Sequence, residues 1–481
     1  MAASSFTDLV LDTLRTRGAH AYVVGGAVRD LFLGRQPPDV DVVVEGPAGQ
    51  AARELAQATG AHITALDEER GHYRLAPSGT VGKGWVDISS YGASLLQDLA
   101  RRDFTIGAMA APLESWPGDA EAALVDPFGG RADLTQKTLS AVSEKNLLDD
   151  PVRLVRAVRI ANQLGFRIEP DTLAMVRRHA ALLGGTTPER VRDEIYAVFA
   201  SPRTDNGVRL LDALGLLGVV FPELHEARGV EQPKAHHYWD VFEHLLHCVG
   251  RAEAVMARLD LERDPFIRVV PWRPELEGYF DEVVADGQTR STMLKLSALL
   301  HDIAKPQSKT FDPEGGMRFF GHSEAGAEMT RDMLGRWRCS RKAVSHVSSL
   351  VLHHLRPTQV APQGGRPTDR AVYRFWRDLE GVAPDVLFLC MADYLAARGP
   401  EAEIGEWSRF LKTIDVILAG GFVRPSVTKP FLLLSGDEIM AVFGLTQGPE
   451  VGRLLSALRD AEADGRVQTR GQALGFVRGL I

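Results

Sequence analysis

Over about the first 140 residues, apolar and polar positions switch between two periods. Phe6 to Arg17 repeats at helical spacing, Ala21-Tyr22-Val23-Val24 reads as a short buried strand, and Val28 to Leu33 opens a second helix. Val40, Val42, Val43 and Val44 are β-branched and predict a strand, Gly49 to Thr59 predicts a helix, and Val86 to Ser89 a further strand. After Leu147 the apolar residues keep helical spacing nearly to the end, so the pattern predicts an α/β (α+β) head on a mostly α-helical body. Two stretches interrupt the body and read as irregular connections. One is Arg263 to Gln288, with Pro265, Pro271 and Pro274; the other is Arg356 to Pro367, with Pro357, Pro362, Gly364, Gly365 and Pro367.

A chain of 481 residues exceeds what one core serves and predicts about two to four domains. The net charge of −8 argues against nonspecific coating of nucleic acid. A local stripe of Arg153, Arg156, Arg159, Arg167, Arg177, Arg178, Arg190 and Arg192 nevertheless predicts a surface for a polyanion. Cys248, Cys339 and Cys390 have no CxxC spacing, which fits a reducing cytoplasm and gives no disulfide framework. The opening MAASSFTDLV has no leader pattern, and no run reaches about 18 apolar residues, so neither secretion nor a membrane span is expected.

The candidate chemistry begins at Gly25-Gly26-Ala27-Val28-Arg29-Asp30, where two glycines before a helix let backbone N–H groups approach a phosphate. Asp39 and Asp41 follow at strand period two and share one face. Two carboxylates on one face repel unless a cation lies between them, and Mg²⁺ suits oxygen ligands. Arg101 and Arg102 are placed to neutralise a triphosphate, while Asp87 either completes the carboxylate set or caps a strand. Asp150 and Arg153 stand three apart on a helix and are suited to present an acceptor and a donor to a nucleobase. The plain alternative is an ordinary ion pair at a helix start.

In order, GGAVRD, DVD, RRDFT, DPFGGRADL, DDPVRLVRAVRIANQLGF and TTPERVRDEI (Thr186 to Ile195) resemble the motifs of bacterial class II tRNA nucleotidyltransferases, the family of CCA-adding enzymes and bacterial poly(A) polymerases. The resemblance covers about residues 20 to 225. It implies a DNA polymerase β-like head, with Asp39 and Asp41 as catalytic holders of two Mg²⁺ ions. It also implies nucleotide binding by Gly25, Gly26, Arg29, Asp30, Arg101, Arg102 and Asp103, and base recognition by Asp150 and Arg153 with Arg156 and Arg159 beside them. The implied partners are the tRNA acceptor arm and CTP, with ATP as the alternative nucleotide.

Three positions depart from the family pattern. Gly107 replaces an Asn after RRDFT, Asp149 stands where Glu is preferred, and Tyr91-Gly92-Ala93-Ser94 runs directly into Leu95 where CCA-adding members carry a flexible loop. Loss of that loop accompanies CC-adding enzymes in the family. The expectation is therefore CC addition, which needs an A-adding partner enzyme; complete CCA addition and A addition or polyadenylation are the alternatives.

Farther on, His244, His301-Asp302, His322, His353-His354 and Asp393 lie on successive predicted helices, and imidazole with carboxylate suits transition metals. Their order resembles an HD phosphohydrolase domain over about residues 235 to 400. The resemblance implies a first divalent metal, a transition metal or Mg²⁺, on His244, His301, Asp302 and Asp393, and a second at His322 and His354, with His353 the less favoured neighbour. Lys305 is near enough in sequence to meet a phosphate. In the tail, Ser435-Gly436-Asp437 and Gly448-Pro449-Glu450 read as helix starts suited to an RNA backbone. The expected division is 1–142 head, 143–232 neck and body, 233–410 HD domain and 411–481 tail. The rival readings are an HD hydrolase whose head only binds RNA, and a noncatalytic RNA-binding module.

Overall fold

The computed structural model describes residues 5–37, 39–78, 84–361, 366–422, 433–463 and 465–481. Pro362, Gly364 and Gly365 of the second irregular stretch lie outside these, as does the very start of the chain. Two compact units form, Met1–Val198 with Leu210–Val220, and Phe199–Arg209 with Phe221–Ile481.

In the first unit a six-stranded sheet carries the order β3-β4-β5-β2-β1-β6, where β1 is Ala21–Val24, β2 Val40–Val44, β3 His62–Asp67, β4 His72–Ala76, β5 Val86–Ser90 and β6 Ala110–Pro112. Strands β1, β2 and β5 fall where the β-branched pattern puts them. The sequence reading omits β3, β4 and β6: β3 is largely exposed and β6 has three residues, so neither carries a clear alternation. Strand β2 pairs antiparallel with β1 and parallel with β5, aligning Val24, Asp41 and Asp87 across three strands, with Arg74 of β4 next to Asp87. Val23, Val24, Val42, Val43, Val86 and Ile88 are buried, so this side-chain row is fixed by the core beneath it. Ser5 closes a capping box on the helix Phe6–Thr16, and the helix Ala48–Thr59 ends on Gly60 in the left-handed conformation.

Beyond the head, helices Glu144–Asp149, Val152–Leu164, Pro170–His179 and Pro188–Ala200 follow, interrupted by one short parallel pairing of Thr138–Leu139 with Arg167–Ile168. In the second unit, helices Val241–Ala257, Arg290–Leu300, His322–Arg336, Arg341–His353 and Ala383–Arg398 carry the candidate metal ligands. The stretch Arg263–Gln288 is more ordered than its prolines suggest. It contains the helix Pro265–Arg268, two 3-10 turns and a hairpin strand Val283–Ala285, and it buries Ile267, Val270, Leu276 and Phe280. At the end of the chain, helices Gly436–Phe443, Pro449–Ala463 and Arg470–Arg478 close over a core of Leu434, Ile439, Leu454, Leu458, Val467 and Val477. No described helix is long and apolar enough to cross a membrane.

Candidate active sites

Asp41 projects from β2 and Asp39 from the residue just before it, on the face where β5 presents Asp87. Asp87 is held in place: Arg74 donates to both of its oxygens, at 2.8 and 2.7 Å, leaving one lone pair on each. Both Asp39 and Asp41 titrate above the usual carboxylate range. Burial is the main cause for each. For Asp41, Arg102 opposes it while Asp87 and Asp39 reinforce it; for Asp39, a backbone bond from Trp85 and the charge of Arg74 oppose it. Asp41 remains solvent-accessible, so surrounding protein thins its hydration without sealing it from an incoming ion. Two reachable oxygen donors whose ionisation is disfavoured until positive charge arrives fit a hard divalent cation.

In the glycine turn, position 25 has a steric role as well. Gly25 donates its N–H to the Met109 carbonyl at 3.1 Å, so that group is not free for a phosphate. What position 25 requires is the backbone conformation φ 71°, ψ −127° and the absence of a side chain, since a Cβ would lie 2.7 Å from Arg102 Nη1 and 3.5 Å from Asp41 Oδ2. Gly26 begins the helix Gly26–Phe32, on which Arg29 Nε donates to Asp30 at 2.8 Å. Arg102 donates from Nε and Nη2 to Asp98 at 3.1 and 3.0 Å, which aims the guanidinium past Gly25. Arg101 Nε bonds the Gln97 carbonyl.

Asn146, which sequence reasoning missed, holds this turn by donating to the carbonyls of Ala100 and Arg102 at 2.8 and 2.7 Å. Asn146 is buried, and its amide satisfies the carbonyls on either side of Arg101. Gly107, at the departure from the family pattern, accepts through its carbonyl from Arg102 Nη1.

Around the helix Val152–Leu164 the arginine stripe is largely compensated. Arg156 Nε and Arg159 Nε donate to the two oxygens of Glu194, at 2.7 and 2.6 Å, and Arg156 Nη1 donates to Asp103 at 3.2 Å. Arg178 pairs with Glu144, and Arg190 with Asp150. Within the arginine stripe, Arg156, Arg159, Arg178 and Arg190 are thus oriented by carboxylates, whereas Arg167 Nε donates to the Thr138 hydroxyl at 3.1 Å. Glu194 was also missed, although it stands in TTPERVRDEI four residues after Arg190, a spacing that puts both on one helix face. The Asp150–Arg153 pair is looser than the spacing predicts, at 3.6 Å. Arg153 Nη1 instead donates to the carbonyls of Arg101 and Asn146, leaving its buried Nε without a hydrogen-bond partner. Burial opposes ionisation of Asp150, yet Arg190 foremost, with Arg153 and Arg156, holds its pKa below the usual range.

In the second unit four helix ends and one helix body converge. His244 Nε2 lies 3.1 Å from Asp393 and 3.4 Å from Asp302, and His301 Nε2 lies 3.2 Å from Asp302 and 3.6 Å from Asp393. His322 Nε2 and His354 Nε2 approach the other oxygen of Asp302, at 3.2 and 3.6 Å. His301, His322 and His354 each donate Nδ1–H to a backbone carbonyl, of Ala298, Phe319 and Val351, which turns Nε2 inward as a ligand. Asp302 Oδ1, His322 Nε2 and His354 Nε2 are buried with no hydrogen-bond partner.

Two ligand groups result, His244–His301–Asp302–Asp393 and Asp302–His322–His354, each with its donor atoms within 4.8 Å, and Asp302 belongs to both. Among the described residues the donors fit two divalent ions bridged by one carboxylate. His354, not His353, joins the cluster. Burial opposes a proton on His301, but the Asp302 charge beside it dominates and holds its pKa well above normal; a bound cation would take that proton's place. Lys305 Nζ sits 2.5 Å from Asp302 and 2.6 Å from Gln232, which sequence reasoning did not single out. A cavity of about 820 Å³, lined by His237, Lys305, Phe320, His322, His354 and Arg398 among others, opens onto this cluster.

Comparison with known proteins agrees with this layout. Residues 21–140 match the poly A polymerase head domain, residues 165–228 the probable RNA and SrmB-binding site of polymerase A, and residues 241–398 the HD domain. The chain is 37% identical to an A-adding tRNA nucleotidyltransferase of Deinococcus radiodurans, with 95% of each chain covered. It is 36% identical to a CC-adding tRNA nucleotidyltransferase of Thermus thermophilus, covering 95% of this chain and 93% of the relative. In fold it resembles a CCA-adding enzyme in its apo form, with TM-score 0.61 and 19% identity over 98% of this chain and 93% of that one. A tRNA nucleotidyltransferase solved with a primer tRNA and an ATP analogue gives TM-score 0.54 and 23% identity over 80% and 94%. With relatives of this identity matched over nearly their whole length, the chain belongs to the bacterial tRNA nucleotidyltransferase family and joins a poly(A) polymerase-type head to an HD domain.

Proposed function

We propose that this protein adds CC to the 3′ end of tRNA, taking CMP from CTP without a template, and that its HD domain is a metal-dependent phosphohydrolase. The observation that carries CC over CCA addition is the connection from β5 to the helix Leu95–Ala100. Only four residues, 91–94, lie between Ser90 and Leu95, and Gly92 turns them at φ 71°. Tyr91 packs edge-on against Tyr22, its ring centroid 6.1 Å away, on a core of Val24, Val43, Leu99 and Ala110. A connection this short and this anchored has no slack with which to reshape a pocket between two nucleotides.

In this reading Asp39 and Asp41 hold two Mg²⁺ ions, which when bound activate the attacking 3′-hydroxyl and stabilise charge at the α-phosphate. Arg102, oriented by Asp98, faces the polyphosphate, with Arg29 on the helix Gly26–Phe32 and Arg101 next in the chain as further cations for it. Asp150 accepts from the amino group of the base, and the guanidinium of Arg153 beside it is the donor for its ring acceptors. Residues 1–142 would carry transfer, 143–232 base and tRNA binding, 233–410 hydrolysis and 411–481 RNA contact. The terminal adenosine then requires a separate enzyme. With its three free cysteines, the protein's proposed place is a reducing cytoplasm.

The near-equal identity to an A-adding relative supports the second reading, A addition to a tRNA already ending in CC. One assay decides: purified protein and Mg²⁺ with tRNA ending at the discriminator base or at CC, supplied with CTP or ATP. Two cytidines added and no adenosine support CC addition. Adenosine added to the CC end defeats it. Hydrolysis of 2′,3′-cyclic AMP that disappears in Asp302→Ala, with nucleotide addition intact, tests the HD assignment.

A further inference from the structure

The carboxylate assigned to the base is gripped by a residue from another helix. Arg190, on the helix Pro188–Ala200, donates from Nη1 to Asp150 Oδ1 at 2.9 Å and from Nη2 to Oδ2 at 2.8 Å. Arg153, the partner suggested by spacing, stays 3.6 Å away. A fork of this kind uses one lone pair on each oxygen and fixes the carboxylate plane. One lone pair remains on each oxygen, now with a set direction. An ionised carboxylate accepts only, so those lone pairs welcome the amino group of cytosine or adenine and repel the carbonyl that uracil or guanine presents at the same edge.

From this geometry we infer that Arg190 is a positioning residue that sets the amino-over-carbonyl selectivity of the nucleotide pocket by locking the plane of Asp150. The inference rests on the reading of Asp150 as the base acceptor. Two features set the fork apart from a fold-stabilising ion pair. Arg190 is 51% exposed, so the pair adds little to folding. Its partner is also flanked by Arg153, whose buried Nε comes within 3.6 Å of Asp150 Oδ2 without a hydrogen bond, so a donor-bearing side chain stands beside the held acceptor.

The test is steady-state addition of CTP and of UTP to tRNA by the full-length wild type, Arg190→Ala, Arg190→Lys and Asp150→Ala, with thermal melting of each. The expected result is a loss of CTP-over-UTP selectivity of about tenfold or more in Arg190→Ala, the size of one well-placed base contact. The loss should appear mainly in KM, with little change in melting. Lysine keeps the charge but not the fork, so Arg190→Lys should lose selectivity nearly as far. Adding Arg190→Ala to Asp150→Ala should change selectivity no further. Selectivity preserved in Arg190→Ala, full rescue by lysine, or an equal fall for both nucleotides would overturn the proposal. If Asp150→Ala itself keeps wild-type selectivity, the assignment of Asp150 to the base fails first and takes the inference with it.

Discussion

Substituting Gly25 by alanine tests whether the glycine turn serves the catalytic centre through space or through its N–H groups. The backbone there, φ 71° and ψ −127°, is one that L residues avoid at a strain of about 1–3 kcal/mol. The new Cβ would lie 2.7 Å from Arg102 Nη1, well inside contact distance, and 3.5 Å from Asp41 Oδ2. Arg102 is the part that can move, so the expected consequence is its displacement from Asp98 and from the carbonyl of Gly107. Removing one pre-aimed donor from a transition state with developing negative charge typically lowers kcat by about 10²–10³. CMP addition to tRNA should fall by that order in Gly25→Ala, while HD-domain hydrolysis, which draws on none of these residues, stays at the wild-type rate. Gly34→Ala is the control: φ is also positive, 69°, but nothing lies within 4 Å of the added Cβ. It carries only the backbone penalty of about 1–2 kcal/mol and should keep its turnover. Wild-type turnover in Gly25→Ala, or an equal loss in Gly34→Ala, would refute the reasoning.

Asp39→Ala and Asp41→Ala should each abolish nucleotide addition without touching hydrolysis; loss of both activities would contradict separate sites. Because Asp302 belongs to both ligand groups, Asp302→Ala should strip two divalent ions per chain and His322→Ala about one, read by elemental analysis after dialysis against the metal. Asn146→Ala leaves two carbonyls without their donor, and a loss of about 1–3 kcal/mol in denaturant unfolding, with a raised KM for the nucleotide, is expected. His346 gives a pH test. Burial first, then Arg290 and Lys342, push its pKa down from 6.5 to about 4, so its contribution to stability is full above pH 6.5 and is lost as pH falls toward 4. That shift is worth roughly 3 kcal/mol at most. Asp385, 3.8 Å away and pushed up to about 6 by burial, acts in the opposite sense, its ionisation costing stability as pH rises from about 4 to 6. His346→Asn should therefore lose less stability than wild type between pH 6.5 and 4, and parallel curves would show that the buried imidazole is not the cause.

By itself the sequence determined the strands β1, β2 and β5, the shift from mixed to helical architecture, the Asp39–Asp41 pair and the histidines and Asp302 that meet in the candidate metal cluster. Each of these is local: β-branched runs, a period of two, or histidines at the ends of apolar helices. Tertiary structure alone decided who holds whom. Arg74 grips both oxygens of Asp87, Glu194 joins Arg156 to Arg159, and Asn146 ties a turn 44 residues away at Arg102. It also added the Arg190 fork to the spacing-based Asp150–Arg153 pair, and gave Gly25 a steric role against Arg102. Charged side chains are long, so sequence spacing limits which groups can meet within one helix but says nothing about a better partner arriving from another. Packing of the backbone brings that partner within 3 Å, and the short, directional range of the hydrogen bond then selects it.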